Sequence, residues 1–123
     1  MPIEFKVSVV KSAEGVLATQ TALNGYVDAS TLSEFEEVLD KLLEKGARNV
    51  LLDCTHLEYI NSTGLGLFLK YTDELAQHGG TLALTCVPSN TRNVIELLGF
   101  DRDLKVFEDA ASALKWIATQ PKQ

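Results

Sequence analysis

Long apolar runs are missing from this chain. No hydrophobic stretch approaches the roughly 18 residues needed to span a bilayer, and the start, Met-Pro-Ile-Glu-Phe-Lys, has no basic segment leading into an apolar one. A cytoplasmic protein with no direct membrane binding is expected. Basic residues are also scarce, 11 Lys plus Arg against 17 Asp plus Glu, for a formal charge of −6. A protein that gains affinity for DNA or RNA by releasing counterions from phosphates needs the opposite sign, gathered on one face. No basic cluster occurs, so nucleic acid is not an expected partner. The two cysteines, Cys54 and Cys86, each lie in or at the end of an apolar run and are too few to build a disulfide framework; both are expected as free, buried thiols. Cys54-x-His56, with His78 and Cys86 further on, matches no zinc spacing, so neither a metal nor a cofactor is expected.

What is present is average for a folded domain, with 46% hydrophobic and 23% charged residues, which excludes a disordered or collagenous chain. A length of 123 residues fits one domain over 1–123, with a core of about 3–118 and a polar tail at 119–123 that is expected to fray. Phe5, Val7 and Val9 alternate with polar residues, Val16 to Leu23 form a second β-prone run, and Ser12-Ala13-Glu14-Gly15 supplies a turn between them. An antiparallel hairpin is predicted. From Leu32 the period changes to 3.6, with Leu32, Phe35, Leu39 and Leu42 on one face; Thr31 and Glu34 have the spacing of a capping box, and Gly46 is a stop.

Asn49 to Cys54 reads as an interior strand, and a helix from about Ser62 carries Leu65, Phe68, Leu69 and Leu75 before Gly79-Gly80. Thr81 to Val87 is a second buried strand, stopped by Pro88. Ser89 or Asn90 can cap a short helix that ends at Gly99, Lys105 to Phe107 is a small strand, and Asp109 caps a last helix from Ala110 to about Ala118 that buries Leu114 and Ile117. Trp116 is read as a packing residue. The pattern implies an α/β domain with a mixed sheet of four to five strands, an initial antiparallel hairpin followed by parallel strands, and about four helices.

One segment asks for more than packing. Leu57-Glu58-Tyr59-Ile60-Asn61-Ser62-Thr63-Gly64-Leu65-Gly66 gathers hydroxyls and glycines where a strand hands over to a helix. Ser62 falls within about one residue of the N-cap, where it can satisfy a backbone donor or project into solvent. Each glycine in a helix costs about 1 kcal/mol relative to alanine, which suggests close approach by backbone or by a partner. On this segment alone, a cap followed by two packing glycines is a sufficient explanation.

The segment resembles the signature of the STAS family, specifically the anti-sigma factor antagonists of bacterial partner-switching pathways. There a strand ending Asp-Leu-Ser precedes Asp-Ser-Ser-Gly-Leu-Gly or Asp-Ser-Thr-Gly-Leu-Gly; here Asp53-Cys54-Thr55 precedes Asn61-Ser62-Thr63-Gly64-Leu65-Gly66. Leu23-Asn24-Gly25-Tyr26-Val27-Asp28 is similar to the Gly-x-x-Asp that ends the family's second strand, Thr81-Leu82-Ala83-Leu84 to its next core strand, and Leu97-Leu98-Gly99-Phe100-Asp101 to its Leu-Gly-hydrophobic turn. The resemblance covers essentially residues 3–118, with the landmarks in order.

What the resemblance implies is a switch and not an enzyme. Unmodified antagonist binds an anti-sigma factor that is itself an ATP-dependent serine kinase, phosphorylation at the position of Ser62 releases it, and a PP2C-type phosphatase resets it. The implied partner surface is Asp28, Asn61, Ser62, Thr63, Gly64 and Leu65, with Thr63 a cap or contact residue. Asn61 stands where the family usually has Asp, which removes a charge beside the acceptor while keeping a capping oxygen. A phosphoserine adds about −1.5 to −2 charges, which a helix N-terminus tolerates; with no Arg nearby in sequence to draw the phosphate inward, little conformational change is expected. A monomer or weak dimer is expected.

Alternatives remain at this level. The same helix face can act without phosphorylation in a STAS subunit of a transporter or other signalling complex. A small enzyme could use Asp28, Asp53 and Glu58, although their spacing brings no two carboxylates to a common substrate. Asp53 invites comparison with a receiver phosphoacceptor, but the acidic pair and Lys that a receiver needs are replaced by Val10-Lys11 and Glu108. His56 and His78 lack a nucleophile in a supporting motif. Asp28 can equally cap the helix that starts near Thr31, and Tyr59 and Phe100 fit either contact or packing roles.

Overall fold

The computed structural model describes residues 2–120; of the predicted tail, 121–123 lie outside the described residues. Five strands, β1 (Ile3–Lys11), β2 (Leu17–Val27), β3 (Asn49–Ile60), β4 (Thr81–Thr85) and β5 (Lys105–Phe107), form one sheet in the order β1-β2-β3-β4-β5. The β1-β2 pair is antiparallel and the remaining pairs are parallel, so the predicted mixed α/β architecture is the observed one. Four helices, α1 (Leu32–Glu44), α2 (Ser62–Gln77), α3 (Ser89–Leu97) and α4 (Ala110–Ala118), accompany it, with a 3-10 turn at Phe100–Arg102.

Because strand order follows chain order, successive right-handed crossovers place their helices on one side of the sheet. The larger core forms there: Leu23, Val27, Leu52 and Leu84 from the sheet meet Phe35, Leu65, Phe68 and Ile95 from the helices. An aromatic relay joins the layers, with Phe5 stacked on Phe35 at 6.2 Å and Phe35 edge-on to Phe68 at 5.6 Å. Such pairs contribute about 0.5–1.5 kcal/mol each beyond their burial. Among the described residues only α4 covers the opposite face, where Ala113 and Ile117 pack on Ala18, Leu51 and Ala83, and Trp116 sits 5.5 Å from Phe107 as a packing residue.

Several local expectations need correction. β3 continues six residues past Cys54, because β2 is long enough to pair with it as far as Val27↔Ile60. Two register shifts, between Ala22 and Asn24 and between Gly25 and Tyr26, put extra residues into β3 and break the alternation that would have revealed it. β4 instead stops early, at Thr85, because Cys86 adopts φ +54°. Cys86 is therefore exposed, not buried, and its thiol donates to the Glu108 carbonyl at 3.2 Å; Cys54 is buried, which pushes its thiol well above the ordinary range. Both thiols are free.

The Thr31–Glu34 capping box does not form. The Thr31 side chain turns inward, where Oγ1 donates to the Tyr26 carbonyl at 2.7 Å and accepts the Asp28 N–H at 3.0 Å. Neither Ser89 nor Asn90 caps α3, whose N-cap is Pro88; the Asn90 side chain accepts only the adjacent Thr91 N–H. Asp109 does cap α4, accepting the Ser112 N–H at 2.8 Å, and that bond holds its carboxyl below the usual range. Gly99, with φ +76°, closes α3 as predicted. Ile117 is buried, while Leu114 is only half-buried.

One buried group is unpaired. Thr21 on β2 is fully buried, and its Oγ1 has no hydrogen-bond partner among the described residues. Valine has the same shape and β-branching without the stranded hydroxyl, so Thr21→Val is expected to raise unfolding stability by about 1 kcal/mol. Urea denaturation would show it as a higher midpoint at unchanged slope; a loss of stability would mean that the hydroxyl is satisfied.

Candidate functional site

The parallel strands point their carboxyl ends to one edge of the sheet, where crossover loops gather in α/β folds. At that edge β2 ends at Val27 and β3 at Ile60, and the Asn61 N–H donates to the Val27 carbonyl at 3.0 Å. Asn61 is the N-cap of α2: its backbone is extended, its side-chain oxygen accepts the Gly64 N–H at 2.8 Å, and its carbonyl accepts the Leu65 N–H at 3.1 Å. The capping oxygen expected at this position is thus in use.

Ser62 and Thr63 are the first two residues of α2, and both are exposed. Neither hydroxyl takes part in a side-chain hydrogen bond among the described residues, unlike those of Ser12, Ser30, Thr31 and Thr55. A first-turn N–H has no intrahelical acceptor, and the positive end of the helix dipole lies at the same place. The geometry therefore presents a free serine hydroxyl at a helix end that accommodates negative charge.

Beneath the two hydroxyls, Gly64 and Leu65 are buried, so neither presents a side chain at the surface for a partner to touch, contrary to expectation; both pack the first turn of α2 against the core. A β-carbon on Gly64 would come within 2.7 Å of Ile60 Cγ1 and of Val27 Cγ1, which explains the glycine as close packing of the first turn on both strand ends. Gly66 has no atom within 4 Å of its would-be β-carbon, so packing does not require it.

Asp28 follows Val27 directly and is half-buried. Its Oδ1 accepts the Ser30 hydroxyl at 2.6 Å and the Ser30 N–H at 2.9 Å, and these bonds, the hydroxyl's foremost, hold the carboxyl below its ordinary range against the opposing effect of burial. The side chain thus closes the turn before α1 and does not cap the helix, while the Asp28 carbonyl accepts the N–H groups of Thr31 and Leu32 at 3.0 Å. Ser30 is the residue that sequence reasoning missed here, and Thr31, expected in a capping box, takes part in this turn instead; the Asp-x-Ser-Thr spacing carried the signal for it.

The other singled-out groups fall elsewhere. Asp53 accepts the Thr55 hydroxyl at 2.6 Å and the Thr55 N–H at 3.0 Å, a local turn-like contact. Glu58 and His56 are exposed on β3, and His78 is the exposed C-cap of α2. Tyr59 is 48% exposed, with its ring 6.5 Å from Tyr26, whereas Phe100 is half-buried against the main core. Among the described residues, no helix is long and apolar enough to cross a membrane.

An Asn61→Ala change removes the oxygen held by Gly64 N–H and is expected to cost about 1 kcal/mol. Asn61→Asp keeps the bond and adds a charge that the helix dipole favours, so it should stabilise by a few tenths of a kcal/mol, about 0.3 at moderate salt. Thermal unfolding of the pair tests the assignment; equal melting temperatures would remove Asn61 from the cap.

Comparison with known proteins gives a consistent family. The STAS domain family matches residues 9–113. The provisionally named anti-sigma factor antagonist BtrV of Bordetella bronchiseptica is 35% identical over 99 residues, which cover 76% of this chain and 83% of BtrV. Among solved structures, an anti-sigma factor antagonist from Mycobacterium paratuberculosis superimposes with a TM-score of 0.82 at 17% identity, covering 95% of each chain. The Bacillus protein SpoIIAA does so in its unphosphorylated form at TM-score 0.70, 16% identity, 94% of this chain and 99% of its own. Its phosphorylated form gives 0.67 at 18% identity, covering 92% and 99%. The structural likenesses speak to the fold, while the family match and the BtrV identity speak to descent. The chain therefore belongs to the STAS domain family, with anti-sigma factor antagonists among its relatives.

Proposed function

We propose that this protein is an anti-sigma factor antagonist whose binding is switched at Ser62. The chain, taken as a single STAS domain over 1–123, binds an anti-sigma factor with ATP-dependent serine kinase activity when unmodified. It is released on phosphorylation of Ser62 and reset by a PP2C-type phosphatase, all in the cytoplasm. The partner surface is centred on Ser62, with Thr63, Asn61 and Asp28 around it and Gly64 and Leu65 as its floor. The observation that carries the reading is an exposed Ser62 hydroxyl, free of side-chain hydrogen bonds among the described residues, on the first residue of a helix whose cap is tied to the neighbouring strand.

Charge gives the switch its direction. A phosphate on Ser62 meets free N–H groups and a favourable dipole, so the fold is not disturbed. At an interface, the same phosphate must be desolvated and opposes acidic neighbours, which weakens the complex. SpoIIAA supports this division of labour, since both its phosphorylated and unphosphorylated forms share the fold described here. The protein acts as the kinase's substrate and not as a catalyst.

The test is phosphoryl transfer. Incubation with ATP and each STAS-partner kinase of its own genome should yield one phosphoryl group, mapped to Ser62 by tandem mass spectrometry and absent in Ser62→Ala. Transfer to another residue, or none from any of these kinases, contradicts the reading.

A further inference from the structure

The geometry points to a second interaction surface: the free edge of β1, which we infer pairs antiparallel with β1 of a second copy of this chain. β1 ends the sheet order, so one side of its backbone has no strand partner. Of the usual protections of an edge, β1 lacks a bulge, an internal proline and a short length, since its nine residues pair with β2 without a register shift; it does carry charge at Glu4, Lys6 and Lys11.

Its side chains are those of a covered strand. Ile3, Phe5, Val7 and Val9 alternate onto the face that carries α1, as the Phe5–Phe35 stack shows. Yet Val7 is 47% exposed, Val9 69% and the neighbouring Leu17 58%. Together with Leu42 and Ala47 they line an apolar groove between the sheet edge and the end of α1.

Self-pairing centred on Val7 fits this pattern. It sets Val7 against Val7 and Phe5 against Val9 on the α1 face, and Lys6 against Ser8 on the other, with no like charges directly opposite. A shift by one residue would carry the valines to the wrong face.

Charge complementarity also selects a second copy. Glu36 pairs with Lys70 at 3.5 Å and Asp40 accepts the Tyr71 hydroxyl at 2.7 Å, so α2 lies on that flank of α1. At ~100° per residue, Glu34, Val38 and Lys45 fall on the opposite flank, toward β1, and Lys45 and Arg48 rim the groove. Neither Glu34 nor Lys45 makes an ion pair among the described residues. A two-fold axis at Val7 runs the two α1 helices antiparallel, which brings Glu34 of each copy beside the Lys45 and Arg48 end of the other. A pairing carried by one nine-residue strand edge and the groove beside it is expected to be weak, with micromolar association. Ser62 follows β3, two strands in from this edge, and stays uncovered; the pairing stands or falls separately from the switch.

Sedimentation equilibrium of the full chain tests it. Wild type should move from the 13.5 kDa monomer to twice that mass as concentration rises. Val7→Lys/Val9→Lys, at exposed positions and with unchanged circular dichroism, should raise the dissociation constant at least ~10-fold. Glu34→Lys and Lys45→Glu should each weaken self-association, whereas their equimolar mixture should associate more tightly than either alone, because only the mixed pair sets opposite charges at positions 34 and 45 on both sides of the two-fold axis. A monomer up to ~1 mM, a dimer indifferent to the two lysines, or a mixture no tighter than its components would overturn the proposal.

Discussion

Ser62→Asp is expected to weaken binding to the anti-sigma partner by about 100-fold or more while leaving the folded structure intact. The two halves of this expectation come from the same position. Ser62 is the first residue of α2, beyond an N-cap whose side chain already holds the Gly64 N–H, so a carboxylate there meets the positive helix end and displaces no existing bond. Unfolding midpoints should therefore match wild type or lie slightly above it. At an interface the carboxylate brings a charge that must lose its water, which the neutral serine does not. Ser62→Ala is the control: it removes the acceptor without adding charge, and should keep most of the affinity. Isothermal titration with the partner reads all three proteins, and equal affinities for Ser62→Asp and wild type would detach Ser62 from binding.

Gly80→Ala carries the largest expected effect on stability, a loss of about 3 kcal/mol. A β-carbon at this position would collide with the Arg48 carbonyl oxygen and lie 2.7 Å from its carbon. That carbonyl cannot easily retreat, because it accepts the Thr81 N–H at 2.9 Å and precedes the first residue of β3, while the Gly80 N–H donates to the Leu75 carbonyl at 2.7 Å. Gly80 thus welds the end of α2 to the starts of two parallel strands. Gly66→Ala provides the contrast: with open space around its would-be β-carbon and a mid-helix position, it should stabilise by about 0.5–1 kcal/mol. Gly64→Ala falls between, because the helical gain opposes contacts with Val27 and Ile60. Urea denaturation of the series checks the order, and a Gly80→Ala protein as stable as wild type would refute the close approach.

Most of the architecture was legible because the decisive signals are local. The 3.6-residue period of Leu32, Phe35 and Leu39, the Asp109 cap and the Gly99 stop each act within a few residues, and each is found where it was read. What escaped depends on distant chain. The second half of β3 is held by β2, and its bulges erase the alternation that would mark it. Thr31 is an exception in being local: it gives up its expected cap for the Tyr26 carbonyl only five residues back, near the end of β2, which the capping-box spacing does not report. Cys86 is exposed because the chain turns through φ +54° beside β5, which no apolar count reports.

The site was legible in part for the same reason. Asn61, Ser62 and Gly64 announce a helix start by residue type alone, but the reason for Gly64 is contact with Val27 and Ile60, and Val27 lies far back in sequence. The nearness of Asp28 to Asn61 likewise depends on the bond from the Asn61 N–H to the Val27 carbonyl. Sequence could show that both glycines ask for an explanation. Only the packing separates them, leaving Gly66 without a structural need and Gly64 with a clear one.

The central claim is that one phosphate at Ser62 governs partner binding without refolding the domain. The direct measurement titrates the same anti-sigma partner with unmodified and Ser62-phosphorylated protein, with amide chemical shifts recorded on both. The account predicts an affinity about 100-fold lower for the phosphorylated form, with shift changes confined to the first turn of α2 and the adjoining ends of β2 and β3. Equal affinities, or shift changes running the length of α2, would contradict it.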